Sequence, residues 1–497
     1  MISHKLIRHR PRLVSMTASR LPRPRFSGTG PLKTSSSSTV GLGVISFAAG
    51  LIAGRALFRQ RTSDKPGGSL IGATSMTTAP DLNILGTSDQ ITYTKPPTLE
   101  DVTQQLNEHA FTVRGAPGDI HRYDGAQLAS NSPCEDTYLH GSFTNPFDVG
   151  NKNGQWMAWA VFDGHCGWQL SDLLKTQLLP FVRRSLDDVR PKDESDVSDA
   201  AIHHALKTAY TTLDDALVKS ATATMESDLP FAEKARRLEP AYAGACALLT
   251  LFDPQSRKLH VASTGDCRAV LGQKTADGKW VATELSEDCT GATPSEIARI
   301  QAQFPDEPDI IRGGRVWGLQ PSRTFGDGMW KWSKSLKNTL RRNYNGLGLP
   351  SATSYKNYQD GPYITAEPLV TTTAVPDGRP CFLILATDGL WDTMSSEQAV
   401  DLVGKWHDRL QKGALVAEPE KKTQDFGPTV LGRGQRCEYE DRKATFRDGN
   451  AAVHLMRNGL GGADEEMVRG ALTFRYPNAR DIRDDITIQV VFFGPGK

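Results

Sequence analysis

Five acidic stretches recur along the 497-residue chain: Glu135-Asp136, Asp163-Gly164, Gly265-Asp266, Asp388-Gly389 and Asp484-Asp485. The last four sit at the ends of apolar runs. Any one of them is ordinary turn chemistry, because Asp and Gly both suit a reversal of the chain. Their joint occurrence says more. Strands stacked in one domain share a rim, so carboxylates at their ends converge there, and glycine lets a backbone carbonyl come close to a ligand. Converging carboxylates repel one another unless a cation sits among them. Hard oxygen ligands without cysteine or clustered histidine favour Mg²⁺ or Mn²⁺ over zinc.

The second of these pairs lies in VFDGHCGWQL, residues 161–170, where His165 is followed by Cys166. A thiolate phosphatase of the H-C-x5-R pattern needs an arginine six residues past the cysteine to hold the phosphate. Here that position is Asp172, which would repel an anionic substrate and raise the thiol pKa. Attention therefore shifts to Asp163, Gly164 and His165. The seven cysteines are scattered with no C-x-x-C, which argues against a zinc site and a disulfide framework and fits a reducing compartment.

The elements that must position these acids alternate strand and helix from about residue 100. WMAWAVF (156–162) is apolar on both faces, as a covered central strand must be. Further strands are expected at 245–252, 258–264, 381–387 and 486–493, the last alternating Ile486, Ile488, Val490 and Phe492 on one side. Helices are expected at 168–188, 199–224, 294–303, 395–412 and 450–460. Residues 413–449, polar and broken by Gly and Pro, read as an insertion loop. Trp330 and Trp332, in the basic segment MWKWSKSLK, suit either partner docking or burial against a sheet, the commoner fate of tryptophan.

The chain as a whole carries a net charge of +1, but its first acidic residue is Asp64, and residues before it include 11 Lys and Arg. Removing those 11 charges leaves a body near −10, with no general attraction for nucleic acid. Residues 1–38, basic, Ser-rich and acid-free, resemble a mitochondrial presequence; the alternative is a disordered basic tail. Residues 39–61 hold the apolar run TVGLGVISFAAGLIAG and a charged flank of Arg55, Arg59 and Arg61. That run is shorter than the roughly 20 residues of a spanning helix, so an inner-membrane anchor and an extension of the targeting signal are both open. Residues 62–95, rich in Ser, Thr, Gly and Pro, read as a linker, and 96–497 as the body.

VFDGH, GACALLTL, STGDCRAVLG, GLQPSRTFGD, PYITAEP, LILATDGLWD and RDDITIQVV resemble, in this order, the motif series of the metal-dependent serine/threonine protein phosphatases of type 2C. The series covers residues 134–493. SNSPCED and NAAVHLMRNGL are most similar to the mitochondrial pyruvate dehydrogenase phosphatase branch. The resemblance implies an α+β fold, a four-layer sandwich of two antiparallel β-sheets flanked by α-helices, with a binuclear Mg²⁺ or Mn²⁺ site at one end. By matching position, Asp163 would bridge both ions. The Gly164 carbonyl with Glu135 or Asp136 would complete one sphere, and Asp388 and Asp484 the other. Asp266 and Asp392 would serve a weaker third ion or water-held outer contacts. The expected reaction is hydrolysis of phosphoserine or phosphothreonine by a metal-bridging hydroxide, with His165 as general acid to the leaving oxygen. No phosphoenzyme is implied, so Cys166 becomes a small packing residue.

Some positions depart from the family pattern. Many type 2C enzymes place a phosphate-gripping arginine four residues before the acid matching Glu135, and here that position is Asn131. Arg122, Arg268, Arg315 and Arg323 are candidate substitutes, each also readable as a structural ion-pair partner. Cys267 stands for the usual serine after the third-motif aspartate, and Glu-Asp-Thr for the Glu-Asp-Arg of the pyruvate dehydrogenase branch. The implied partner is a phosphoprotein, with the E1α subunit of pyruvate dehydrogenase as a candidate. The competing reading is a catalytically dead phosphoprotein-binding regulator, whose signature would be loss of a core metal aspartate. Asp163, Asp388 and Asp484 are all present.

Overall fold

The computed structural model describes residues 95–147, 154–191, 197–344, 360–413, 426–431 and 437–494. The presequence-like segment, the apolar segment 39–61, the linker up to residue 94 and parts of the insertion loop lie outside them. Among the described residues no helix is long and apolar enough to cross a membrane.

Two antiparallel sheets carry the fold. In one, β1 (Phe111–Ala116) and β2 (Ile120–Leu128) are followed across the sheet by β14 (Ile486–Phe493), β13 (Cys381–Ala386), β7 (Arg268–Lys274) and β8 (Trp280–Glu284). The other runs β12 (Leu369–Ala374), β6 (Lys258–Thr264), β5 (Gly244–Asp253), β4 (Gln155–His165) and β3 (Thr137–Thr144), with the short β11 (Phe325–Gly326) paired to β5. A two-stranded ribbon, β9 (Ile311–Arg312) and β10 (Arg315–Val316), stands apart.

Strand alternation decides which side chains face which layer. Along β4, Met157, Trp159 and Val161 enter the core between the sheets with Leu248 of β5, Leu383 of β13 and Val491 of β14. The intervening Trp156, Ala158, Ala160 and Phe162 pack outward beneath α2 (Gln169–Asp188), α3 (Asp199–Glu226) and α4 (Phe231–Tyr242). On the opposite flank Ile486, Ile488, Val490 and Phe492 of β14 face α1 (Leu99–Asn107), α9 (Ser396–Gln411), α10 (Ala451–Gly459) and α11 (Glu465–Thr473). The result is the four-layer helix–sheet–sheet–helix sandwich, with apolar runs on both faces because both are covered. Remaining helices are α5 (Pro294–Gln303), α6 (Gly328–Lys331), α7 (Lys334–Asn343) and α8 (Asp388–Trp391).

Local chemistry fixes the ends. Thr98 with Asp101 and Ser395 with Gln398 form capping boxes that open α1 and α9, satisfying amide groups the first helical turn cannot. Trp330 and Trp332 are buried, their indole N–H groups donating to the carbonyls of Val316 and Val218, so this pair is core and not a docking patch. The described part of the insertion loop nearest α10 is also partly core: Cys437, Tyr439 and Phe446 pack on the outer flank, and the Tyr439 amide donates to the Thr393 carbonyl at 2.8 Å.

Candidate metal centre

Strand register brings the acids to one rim. Asp163 continues the inward-facing parity of Met157, Trp159 and Val161, and pairs across to Cys246 of β5. Asp266 lies in the turn by which the chain leaves β6 in one sheet for β7 in the other. The Cys246 thiol donates to its carboxylate at 3.1 Å. Ala386 of β13 pairs with Arg268 of β7 on one side and Ile488 of β14 on the other, so Asp388 leaves the sheet beside Asp266. The carboxylate oxygens of Asp163, Asp266 and Asp388 lie within 4.8 Å of one another. Among the described residues, no Lys, Arg or His forms an ion pair with any of the three.

The electrostatic consequence is large. Burial, then Asp388, Asp136 and Asp266, push the Asp163 carboxyl far above the usual carboxylate range. Burial and the nearby Asp388 raise Asp266 to about 6. Asp136, buried and receiving a 2.9 Å hydrogen bond from the Thr387 hydroxyl, is raised well above normal by burial, then Asp485 and Asp388. Asp136 thus adds a fourth acid beside the group of three, with little internal neutralisation. An all-oxygen donor set of this charge fits a hard divalent cation such as Mg²⁺ or Mn²⁺. The residues present therefore suit the ions the resemblance implies.

The remaining residues fall around this group. A Cβ on Gly164 would stand 2.2 Å from the Glu135 carbonyl oxygen, so only glycine lets β4 lie against the 130–136 loop. The Glu135 carboxylate accepts from the Gly167 amide at 2.7 Å and from the Asn131 side chain at 3.0 Å. Asp484 is not in the group of three: its carboxylate pairs with Arg480 and accepts from the Asp485 amide. It is nevertheless adjacent, since a Cβ on Gly389 would meet the Asp485 carbonyl at 2.0 Å. Asp392 is exposed one turn beyond Asp388, to whose carbonyl its amide donates at 2.8 Å.

His165, partly exposed at the end of β4, places Nε2 2.8 Å from Oδ2 of the fully buried Asp327. Burial alone would lower the imidazole pKa; the Asp327 carboxylate outweighs it and raises the value above normal. Asp327 also accepts from the Thr324 hydroxyl at 2.8 Å and sits at φ +49°. The pair needs a glycine beside it, because a Cβ on Gly244 would lie 2.0 Å from His165 Nε2. Cys166 is exposed at φ +59°, but burial of its thiol and the neighbouring Asp327 and Glu135 push its pKa up to about 12. It is no ready nucleophile at neutral pH.

Two residues escaped the sequence reading. Asp327 ends the quoted GLQPSRTFGD and sits 162 positions from His165, so nothing local announced their pairing. Asp485 was visible only as the second half of an acidic pair. Its buried carboxylate accepts from the amides of Ser130 (2.5 Å), Asn131 (2.9 Å) and Glu135 (2.8 Å), and from the Asn131 side chain (3.0 Å). It thereby fixes the loop that carries Glu135 and Asp136.

The family model for protein phosphatase 2C matches residues 128–422. The chain belongs to the protein phosphatase 2C family. A protein phosphatase 2C homolog of Schizosaccharomyces pombe is 38% identical over 405 residues, covering 80% of this chain and 86% of its own. The mitochondrial pyruvate dehydrogenase (acetyl-transferring) phosphatase 1 of Saccharomyces cerevisiae is 32% identical over 419 residues, covering 80% and 72%. A serine-threonine phosphatase 2C of Toxoplasma gondii aligns with TM-score 0.42 at 19% identity, over 77% of this chain and 99% of that one. As a member of this family the protein is a metal-dependent protein serine/threonine phosphatase.

Proposed function

We propose that this phosphatase acts in mitochondria on phosphoserine or phosphothreonine of the pyruvate dehydrogenase complex. The observation that carries the catalytic part is the group of Asp163, Asp266 and Asp388, with no protein cation paired to it among the described residues, beside the His165–Asp327 pair. The substrate and compartment rest on the likeness to the mitochondrial pyruvate dehydrogenase phosphatase of yeast and on the acid-free basic stretch 1–38.

In this reading Asp163 would be the carboxylate shared by two divalent ions. Gly164 through its carbonyl, with Glu135 or Asp136, would serve one, and Asp388 and Asp484 the other. Asp266 and Asp392 would hold a weaker third ion or outer waters. Asp484 would exchange Arg480 for the ion. When bound, the ions supply an activated water and neutralise phosphate oxygens. The protein's own part is orientation and proton transfer. Asp327 holds the imidazole through Nε2, and the protonated ring, favoured by that carboxylate, donates to the departing serine or threonine oxygen. Thr387 fixes the Asp136 carboxylate, and Asp485 the backbone from Ser130 to Glu135.

The test compares release of phosphate from phosphorylated E1α within the complex against unrelated mitochondrial phosphoproteins, with Mn²⁺ and with EDTA. A preference for the complex that EDTA abolishes is expected. Equal rates on all substrates would remove the substrate assignment, and activity that survives chelation would remove the mechanism. Mass spectrometry of the mature N-terminus and carbonate extraction of mitochondria test the targeting role of 1–38 and an anchoring role of 39–61.

A further inference from the structure

With Asn131 engaged between Glu135 and Asp485, the position where the type 2C resemblance implies a phosphate-gripping arginine holds a neutral amide already committed to two carboxylates. Any protein cation that joins the ions in holding the phosphate must then come from elsewhere. Three of the four candidate arginines are consumed internally. Arg122 is buried against Asp124 at 2.8 Å and donates to the Gly449 carbonyl. Arg323 is buried against Glu296 at 2.8 Å and donates to the Glu367 carbonyl. Arg268 pairs with Asp288 at 2.6 Å and lies over the Trp391 ring.

Arg315 differs in exposure and in charge pairing, although its guanidinium also donates to the Gly318 carbonyl at 3.5 Å. It opens β10 just past the turn Gly313-Gly314 (φ +57° and +73°), its side chain is exposed, and among the described residues it has no carboxylate partner. Its guanidinium donates to the Gln320 side-chain oxygen at 3.0 Å, and the Gln320 amide donates to Oδ2 of Asp266 at 3.1 Å. One neutral side chain therefore separates an unneutralised guanidinium from a member of the acid group. The ribbon is held to the body next to the site, since the Gly291 amide donates to the Gln320 carbonyl, and the Cys289 amide to the Gly265 carbonyl.

We propose that Arg315 is the substrate-phosphate grip of this phosphatase, with Gln320 as the positioning residue that aims it. On substrate entry the guanidinium exchanges its bond to the Gln320 oxygen for two N–H···O bonds to phosphate oxygens, a geometry its planar fork suits. Gln320 keeps its amide on Asp266, so the grip is registered to the acid group. This rests on the phosphatase assignment and names the residue that recognises its substrate's charge.

The experiment uses the full chain loaded with Mn²⁺. KM and kcat are measured for p-nitrophenyl phosphate and for a phosphoserine peptide, and binding of inorganic phosphate and of Mn²⁺ is followed by calorimetry. Arg315→Ala is expected to raise KM for both substrates and weaken inorganic phosphate about tenfold or more, the scale of a lost charge-assisted contact. Mn²⁺ affinity stays unchanged, and Arg315→Lys recovers part of the loss. Gln320→Ala gives a smaller rise in KM. A KM increase confined to the peptide would make Arg315 a protein-docking residue and overturn the proposal, as would unchanged phosphate binding in Arg315→Ala. If wild type neither binds Mn²⁺ nor turns over either substrate, the phosphatase reading fails instead, a distinct result.

Discussion

Two sets of buried acids in this molecule are handled in opposite ways. Glu296 receives Arg299, Arg323 and the Ser322 hydroxyl; burial alone would raise its pKa, but these partners hold it at about 2. Asp485 is likewise lowered against the effect of burial, by three backbone amides and the Asn131 side chain. Asp163, Asp136 and Asp266 receive far less and are raised. The protein can satisfy a buried carboxylate, and around the first set it does. Around the second it leaves carboxylates facing one another, which is unfavourable for the protein alone and becomes favourable once a cation joins them.

That contrast is open to attack from both sides. The largest expected effect is Asp163→Asn, which should lower kcat by about 10³-fold or more while leaving the metal-free protein as stable as wild type, since it removes repulsion and keeps shape. Phosphate release and thermal unfolding without metal would show this. A metal-free protein strongly destabilised by the change would place Asp163 with the satisfied acids. Substitution in the satisfied set should behave inversely. Asp485→Ala strands backbone donors in the 130–135 loop and is expected to cost about 3 kcal/mol or more of folding stability, with activity falling alongside.

Glu296→Gln sharpens the same point through pH. A carboxyl held at about 2 against an ordinary 4.5 contributes stability that is fully present above 4.5 and is lost as pH falls toward 2. The variant should therefore be about 3 kcal/mol less stable than wild type at pH 7, with the gap closing below pH 4.5. Urea unfolding at several pH values reads it. Smaller again, Asp327→Asn should cut kcat about 10²-fold with Mn²⁺ binding unchanged, because it releases His165 and not the acids. Smallest is Cys166→Ser, expected to leave kcat within about twofold, given a thiol raised to about 12 by burial and by Asp327 and Glu135.

Much of this arrangement could be read along the chain. Strands β4, β5, β6, β13 and β14 stand where their apolar runs placed them, because strands covered on both faces must be continuously apolar. β1, β3, β8 and β12 are only half-buried, so their mixed patterns carried no such signal. Asp163, Asp266 and Asp388 were legible as Asp-Gly junctions at strand ends. The roles of Asp485, Asp327 and Gln320 were not, since each depends on a partner more than 50 residues away. The choice of Arg315 among four arginines likewise required seeing which of them are already paired.

The most direct test of the central claim is a calorimetric titration of Mn²⁺ into the metal-free full chain and into Asp163→Asn. Saturable binding to wild type, lost or weakened at least tenfold in the variant, is the expected result. Equal Mn²⁺ binding by the two proteins, or none by wild type, would show that the facing carboxylates are not gathered for a cation.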